Sequence, residues 1–348
     1  MAGIEQAWQS RGAIACMLWP VSMLYRLIIS LRRLAYRHGL KKVQPVTLPV
    51  VVVGNLSVGG TGKTPLCAWL VNQFEQAGWK PGIVSRGYGG ERHNTPHMIT
   101  AVDTASSVGD EPLMLFEQTG VPVCVCVKRA LAVEQMAADA VVDIIFADDG
   151  LQHLSMARVA EVVVIDGRRG FGNRWMLPAG PLREPLSRLS KADLVAVQVA
   201  ELPHASIGSL IGVYQDPQVN GFSLMISSAI ALVDGHSRAL EEFKNQPVVA
   251  MAGIGHPERF FDALRAKGLL VHAEARPDHH VFTLADFSTH ATLPVLVTSK
   301  DAVKLKQLSN LPANVYEVPV VTTVSETLQR QVGELENYLR NQPPTKLP

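Results

Sequence analysis

Residues 50–65 read Val50-Val51-Val52-Val53-Gly54-Asn55-Leu56-Ser57-Val58-Gly59-Gly60-Thr61-Gly62-Lys63-Thr64-Pro65. This order of residue types suits the holding of phosphate. An apolar run gives way to glycines, whose backbone can curl closely around oxyanions. The chain then enters a helix through Gly62-Lys63-Thr64. Successive loop amides and a helix N-terminus aim positive charge at an anion. Gly59, Gly60, Thr61 and Gly62 are therefore candidate nucleotide contacts. Lys63 is suited to reach the β- and γ-phosphates, and the Thr64 hydroxyl to ligate Mg2+. The general pattern wants a glycine where Ser57 stands, but Gly59 and Gly60 preserve the local physics. The competing reading is a tight strand-to-helix turn with an incidental lysine.

A second constellation is Asp148-Asp149-Gly150-Leu151-Gln152-His153, delivered by the apolar run at 144–147. In a parallel sheet that end of a strand shares an edge with the phosphate loop. Asp148 and Asp149 are thus candidate Mg2+ ligands, directly or through water. A plain Asp-Asp-Gly turn is compatible with that role. Gln152 and His153 are candidate substrate contacts, or loop caps.

Phosphorylating an alcohol also calls for a group that orients and deprotonates it. Asp110 in Gly109-Asp110-Glu111-Pro112 is one candidate, in competition with a helix N-cap role. The cluster Arg276-Pro277-Asp278-His279-His280 is another. No cysteine or histidine set completes a zinc site around His279 and His280. Arg86, in Ser85-Arg86-Gly87-Tyr88-Gly89-Gly90, and Arg174, after Arg168 and Arg169 in a glycine-rich stretch, suit an anionic acceptor or solvated loops.

Strands alternating with helices must position these residues. The pattern predicts strands at 50–53, 80–84, 121–127, 141–147, 161–166 and 192–199, then 248–252, 293–298 and 316–321. Helices are predicted at 65–77, 110–118, 130–138, 258–267, 301–308 and 325–339. This is an α/β fold with a mostly parallel sheet. At 348 residues, two domains are the default. We divide the chain into an N-terminal helical segment (1–45), a P-loop NTPase-like domain (46–222) and a smaller C-terminal α/β domain (223–348). The 32 basic and 31 acidic residues nearly cancel, so charge gives no argument for nucleic acid. No obligate protein partner is evident. The four cysteines have neither CxxC nor zinc spacing and read as reduced, buried thiols in a reducing compartment.

The N-terminal segment departs from that charge balance. Arg11, Arg26, Arg32, Arg33, Arg37, Lys41 and Lys42 face a single acid, Glu5. On a helix, Ser22, Arg26, Arg33 and Arg37 share one side, while Leu24, Leu27, Ile28, Leu31 and Leu34 fill much of the rest. Such a helix can lie in a membrane plane, with basic side chains near anionic head groups. It can equally pack on its own catalytic domain. The charge-free run at 12–25 is shorter than the roughly 20 residues that span a bilayer.

As a set, several motifs resemble the tetraacyldisaccharide 4'-kinase family, the lipid A kinases of Gram-negative bacteria. They are the loop at 54–65, Ser85-Arg86-Gly87-Tyr88-Gly89, Gly109-Asp110-Glu111-Pro112, Asp148-Asp149-Gly150-Leu151-Gln152-His153, residues 177–185, Pro277-Asp278-His279 and Lys300-Asp301-Ala302-Val303. They occur in the family's order, and Ser57 is normal there. The resemblance implies ATP-dependent phosphorylation of the 4'-hydroxyl of an acylated glucosamine disaccharide 1-phosphate. It also implies a bilayer-associated enzyme on the cytoplasmic face of the inner membrane, with the C-terminal domain closing over the cleft. Asp110 and His279 match the family's base dyad, with His280 the runner-up, and Asp148 and Asp149 match its Mg2+–nucleotide region. The alternatives are a P-loop kinase of another membrane glycolipid and a nucleotide-driven switch. Thr298-Ser299-Lys300-Asp301 invites comparison with the guanine-reading Asn-Lys-x-Asp, but Ser299 and Ala302 break the match.

Overall fold

The computed structural model describes residues 7–91, 93–139, 142–202, 219–290 and 292–341. Along the chain run α1 (Ala13–Arg37), β1 (Val50–Gly54), α2 (Lys63–Gln76), β2 (Pro81–Ser85), β3 (His97–Met98), α3 (Ala105–Val108), α4 (Asp110–Thr119), β4 (Val123–Val125), α5 (Arg129–Asp139), β5 (Ile144–Asp148), β6 (Ala160–Asp166) and β7 (Leu194–Val199). There follow β8 (Val219–Met225), β9 (Ser228–Ala231), β10 (Ser237–Ala239), β11 (Pro247–Ala252), α6 (Pro257–Ala266), β12 (Leu270–Ala275), β13 (Val295–Thr298), α7 (Ser299–Leu305), β14 (Val315–Val318), β15 (Val321–Val324) and α8 (Glu326–Arg340). Residue 141, the start of the strand predicted at 141–147, lies outside the described residues.

These elements form two compact units, each discontinuous in sequence. The first holds Met1–Ser85, Lys128–Ser223 and Thr323–Pro348; the second holds Arg86–Val127 and Leu224–Thr322. Boundaries drawn at 45 and 222 treat each domain as one stretch of chain. The chain instead leaves the first unit after Ser85, returns at Lys128, and returns again at Thr323.

In the first unit β1 lies between β5 and β6 and runs parallel to both. Beyond β5 comes β2, and beyond β6 come β7 and β8, all parallel. A central parallel strand is covered on both faces, which is why β1 is a run of valines and why all five of its residues are buried. Val53 is paired with Asp148, so the start of the phosphate loop and the acid at the end of β5 leave the sheet side by side. The buried Leu66, Leu70, Val71 and Phe74 hold α2 in the core, where Phe74 meets Phe146 edge-on at 5.1 Å.

The second unit contains a mixed sheet of order β10-β9-β14-β13-β11-β12. Its β12, β11, β13 and β14 are parallel, and β9 pairs antiparallel with β14 and β10. Phe243, Phe260, Phe261 and Leu264 fill one side of it. The single strand predicted at 316–321 is two strands in different sheets, β14 and β15. Pro319 falls between them, and a proline has no N–H to continue a ladder.

The orientation of α1 is the reverse of a core helix. Ala15 and Ser22 are its buried residues. Ile14, Met17, Leu24, Leu27, Ile28, Leu31 and Leu34 are exposed, Met17 to 79%. At 25 residues the helix is long and apolar enough to cross a membrane, by length and composition.

Phe146→Ala removes one ring of the buried edge-on pair beneath the loop. It should cost about 3–5 kcal/mol, the usual range for emptying a core aromatic site. Urea unfolding followed by fluorescence checks this; an unchanged midpoint would show the site collapses without penalty.

Candidate active site

The loop is held from behind. Asn55 is buried, and its side-chain amide donates to the carbonyls of Ser57 (2.8 Å) and Gly59 (3.3 Å). The segment 176–184 forms a strap against the same turn. Val58 N–H donates to Pro181 O (2.9 Å), Arg183 N–H donates to Leu56 O (2.7 Å), and Ser57 bridges Leu182. Gly62, at φ 78°, is the N-cap of α2, a left-handed position that disfavours a side chain. It brings Lys63 and Thr64 into the first turn, where helix N–H groups lack intrahelical partners. The Thr61 hydroxyl is buried with no hydrogen-bond partner.

Thr64 donates its hydroxyl proton to Asp148 Oδ2 at 3.1 Å, both groups being buried. Asp149 adopts φ 50°. Its carboxylate lies 3.5 Å from Arg183 Nη1, and its backbone carbonyl accepts from Arg129 Nη1 at 2.8 Å. Burial would raise the Asp149 carboxyl, but Lys63, Arg183 and Arg129 outweigh it and hold the group below the usual carboxylate range. The buried Asp149 Oδ1 has no hydrogen-bond partner. An ionised carboxylate with an orphaned oxygen, beside a threonine–aspartate pair, fits a Mg2+ ion, which takes few protein oxygens and completes its shell with phosphate and water. Among the described residues no group of three His, Cys, Asp or Glu side chains gathers to hold a metal without such help.

The remaining residues proposed for substrate fall differently. Gln152 donates its amide to Asn55 O (3.2 Å) and Glu184 Oε1 (3.2 Å), so it supports the loop. His153 is half-buried, and its backbone carbonyl accepts from Arg158. Arg174 is exposed, at φ 65°. Arg86 is exposed and is the first residue of the second unit.

The second unit brings Asp110 and His279 together, with His279 Nδ1 2.8 Å from Asp110 Oδ2. Asp110 is 3% exposed. Gly109 takes the N-cap position of α4, so Asp110 is the first helical residue rather than the cap. His279 has φ 59°, and its N–H donates to Gly253 O. His280 turns instead to Asp286, 3.4 Å away. A charged frame surrounds the pair. Lys300 Nζ lies 3.1 Å from Asp278, 3.4 Å from Glu111 and 3.9 Å from Asp110, and Lys304 Nζ also lies 3.9 Å from Asp110. Burial would lower the Lys300 ammonium, but Glu111, Asp110 and Asp278 hold it above its ordinary value. Asp301, fully buried, accepts from Gly253 N–H at 2.9 Å and so fixes the residue whose carbonyl anchors His279. The sequence motif Lys300-Asp301-Ala302-Val303 is explained by this frame.

Reasoning from residue types alone did not single out Arg129 or Lys304, and it placed Asn55 in the loop and Arg183 and Glu184 in the stretch 177–185, read as suiting an anionic acceptor, without their bracing roles. Apart from Asn55, whose side chain ties the nearby Ser57 and Gly59, each works through a partner distant in sequence. The available signal was position: Asn55 opens the loop, and Arg183-Glu184 lies in the strap. Of the four non-glycine residues at positive φ among the described residues, three are Asp149, Arg174 and His279; such backbone strain collects at functional sites. Gly89, at φ 85°, leaves room for the His279 ring, since a Cβ there would lie 3.1 Å from Nδ1. Gly89→Ala should therefore push the imidazole off Asp110. The hydrogen-bonded Nδ1 proton signal of His279 in NMR should disappear; its persistence would refute the steric argument.

Comparison with known proteins converges on one family. The sequence profile of tetraacyldisaccharide-1-P 4'-kinase matches residues 14–337. A tetraacyldisaccharide 4'-kinase of Stenotrophomonas maltophilia (strain R551-3) is 43% identical over 303 residues, covering 87% of this chain and 88% of the relative. One of Azoarcus sp. (strain BH72) is 41% identical over 343 residues, covering 97% and 96%. Among solved structures, LpxK from Aquifex aeolicus in complex with ATP superposes with a TM-score of 0.77. That match is 23% identical and covers 93% of this chain and 99% of that one, which establishes the shared kinase fold. With the profile matching nearly the whole of this chain and relatives above 40% identity, the chain belongs to the tetraacyldisaccharide-1-P 4'-kinase family.

Proposed function

We propose that the protein transfers the γ-phosphoryl group of ATP to the 4'-hydroxyl of an acylated glucosamine disaccharide 1-phosphate, at the cytoplasmic face of the bacterial inner membrane. The observation that carries this reading is the 2.8 Å contact between Asp110 and His279. A nucleotide switch protein needs no base for an alcohol, whereas an alcohol kinase does. The family match and the names of the relatives supply the acceptor.

In this reading the loop amides and Lys63 hold the β/γ-phosphates and offset charge as the bond to the leaving oxygen breaks. Gly59, Gly60, Thr61 and Gly62 supply the cradle. Thr64, Asp148 and Asp149 would hold Mg2+, which when bound neutralises phosphate charge. Asp110 accepts the proton of the attacking hydroxyl, and His279 holds its carboxylate in place and shares the charge. Arg86, His153 and Arg174 are assigned to the anionic acceptor. The acceptor's acyl chains reside in a bilayer, because each exposed methylene costs about 0.8 kcal/mol. The exposed apolar side of α1, flanked by Arg26, Arg32, Arg37, Lys41 and Lys42, is suited to meet that surface.

Transfer from radiolabelled ATP to purified disaccharide lipid, with positional analysis of the product, tests the whole reading. Asp110→Asn should cut turnover on the order of 100-fold or more, the usual worth of a general base, with nucleotide binding retained. Lys63→Ala should lose both binding and transfer, and chelation of Mg2+ should abolish transfer. Full turnover by the Asp110→Asn protein would remove the base assignment. A label preferring a different glycolipid hydroxyl would reassign the acceptor while leaving the kinase chemistry intact.

A further inference from the structure

Helix α1 is seated on the strap that braces the phosphate loop. Ser22 Oγ donates to Met176 O at 2.7 Å, and Tyr25 OH donates to Arg183 O at 3.2 Å. Arg32 Nη2 reaches Gln152 O at 3.4 Å. Arg33 Nη1 lies 3.6 Å from Glu184 Oε2. Burial lowers the Arg33 guanidinium and Glu184 opposes that effect; the carboxylate of the pair is buried and the guanidinium partly so. These contacts use the polar side of the helix, although Arg33 had been grouped with residues facing lipid head groups.

Glu184 is the node of this arrangement. It is 4% exposed. Its Oε1 accepts from Gln152, whose amide also donates to Asn55 O. Its Oε2 faces Arg33 and Arg188, the latter at 3.4 Å. From Asn55 the path continues to the Ser57 and Gly59 carbonyls. Four side chains thus connect a helix with an exposed apolar stripe to the backbone that would cradle a triphosphate. A buried carboxylate between two guanidinium groups is sensitive to the loss of either, because the charge left behind has no water to replace its partner.

We propose that Glu184 is a positioning residue that holds the phosphate loop through Gln152 and Asn55, and that Arg33 makes this hold depend on how α1 is seated at a bilayer. This rests on reading α1 as the bilayer contact. Anything that favours one seating of the helix then favours one arrangement of the loop. By linkage, a membrane surface that changes ATP affinity by some factor must have its own affinity changed by ATP by the same factor.

The test uses the full-length protein, a fluorescent ATP analogue and vesicles of phosphatidylethanolamine with phosphatidylglycerol, without acceptor lipid. For the unaltered protein, vesicles should change nucleotide affinity on the order of 5-fold or more, the low end of ordinary coupling. Nucleotide should change vesicle affinity by the same factor. Arg33→Gln should still co-sediment with vesicles yet show one nucleotide affinity with and without them. Glu184→Gln should bind nucleotide more weakly even without vesicles. Gln152→Leu, which cuts the same path while leaving every charged side chain in place, should reproduce that loss if Glu184→Gln fails to fold. An Arg33→Gln protein with undiminished coupling overturns the proposal, as does an unaltered protein that binds vesicles with no change in nucleotide affinity. Failure of the unaltered protein to bind vesicles overturns both the bilayer reading and the dependence on α1. The hold of Glu184 on the loop is then judged from Glu184→Gln and Gln152→Leu alone.

Discussion

Binding phosphate with backbone amides imposes a constraint that the rest of the first unit serves. The amides must be available to a ligand, yet the loop that carries them must stay ordered. An amide kept for a ligand adds little to that order until the ligand arrives. The order therefore comes from the other side of the turn. Asn55 ties two loop carbonyls, the strap at 176–184 contributes the two backbone hydrogen bonds of the Ser57–Leu182 bridge, and Gln152 anchors Asn55 in turn. The loop's own glycines give it shape, but a shape that glycine permits is one it can also leave. Rigidity is supplied by residues that touch no phosphate.

The second unit answers a related constraint with charge. A buried aspartate is costly unless compensated, and Asp110 is only 3% exposed. His279, Lys300 and Lys304 approach the same oxygen, Oδ2, at 2.8, 3.9 and 3.9 Å. The backbone at His279 is left-handed, and Gly89 leaves a gap beside the ring that a side chain would narrow. The glycines at 87–90 are thus explained by packing around the imidazole and the turn before α4. Gly109 makes the same point, since a Cβ on it would strike Tyr88 O at 2.5 Å.

Legibility in the sequence followed the range of the physics. Strand β1, the glycine-rich turn and the start of α2 are local, and their residues were readable because period, turn chemistry and helix start signals are all short-range. Asp148 and Asp149 were readable for the same reason, since a strand end delivers them. The strap was visible as a motif at 177–185 but its bracing role was not, because it supports a turn more than a hundred positions earlier and carries no period. Residue types left Asp110 among several candidate bases; only the resemblance to a family singled it out and paired it with His279, 169 positions away. The division near 222 falls where the first unit gives way to the second at Ser223–Leu224, whereas the crossings after Ser85, at Lys128 and at Thr323 were not readable, since linear composition does not record where a chain crosses and returns.

The N-terminal helix was the one element whose two readings, membrane surface or packing on the protein, were set against each other from pattern alone. Its geometry shows why the pattern could not choose. Ser22, Tyr25 and Arg33 make the contacts to the body of the protein, and the leucines and isoleucines are left outside. A helix docked through its polar side satisfies both descriptions at once. It is held to the protein by a few hydrogen bonds, the ring contact of Trp19 with Trp175 and the partly buried Arg33–Glu184 ion pair, interactions each of modest net worth. The large apolar stripe, by contrast, gains stability only when something apolar covers it. The stronger driving force therefore acts on the outer side of α1 and the weaker attachment on the inner side. A surface that engages the stripe has the energetic means to reset the contacts beneath it.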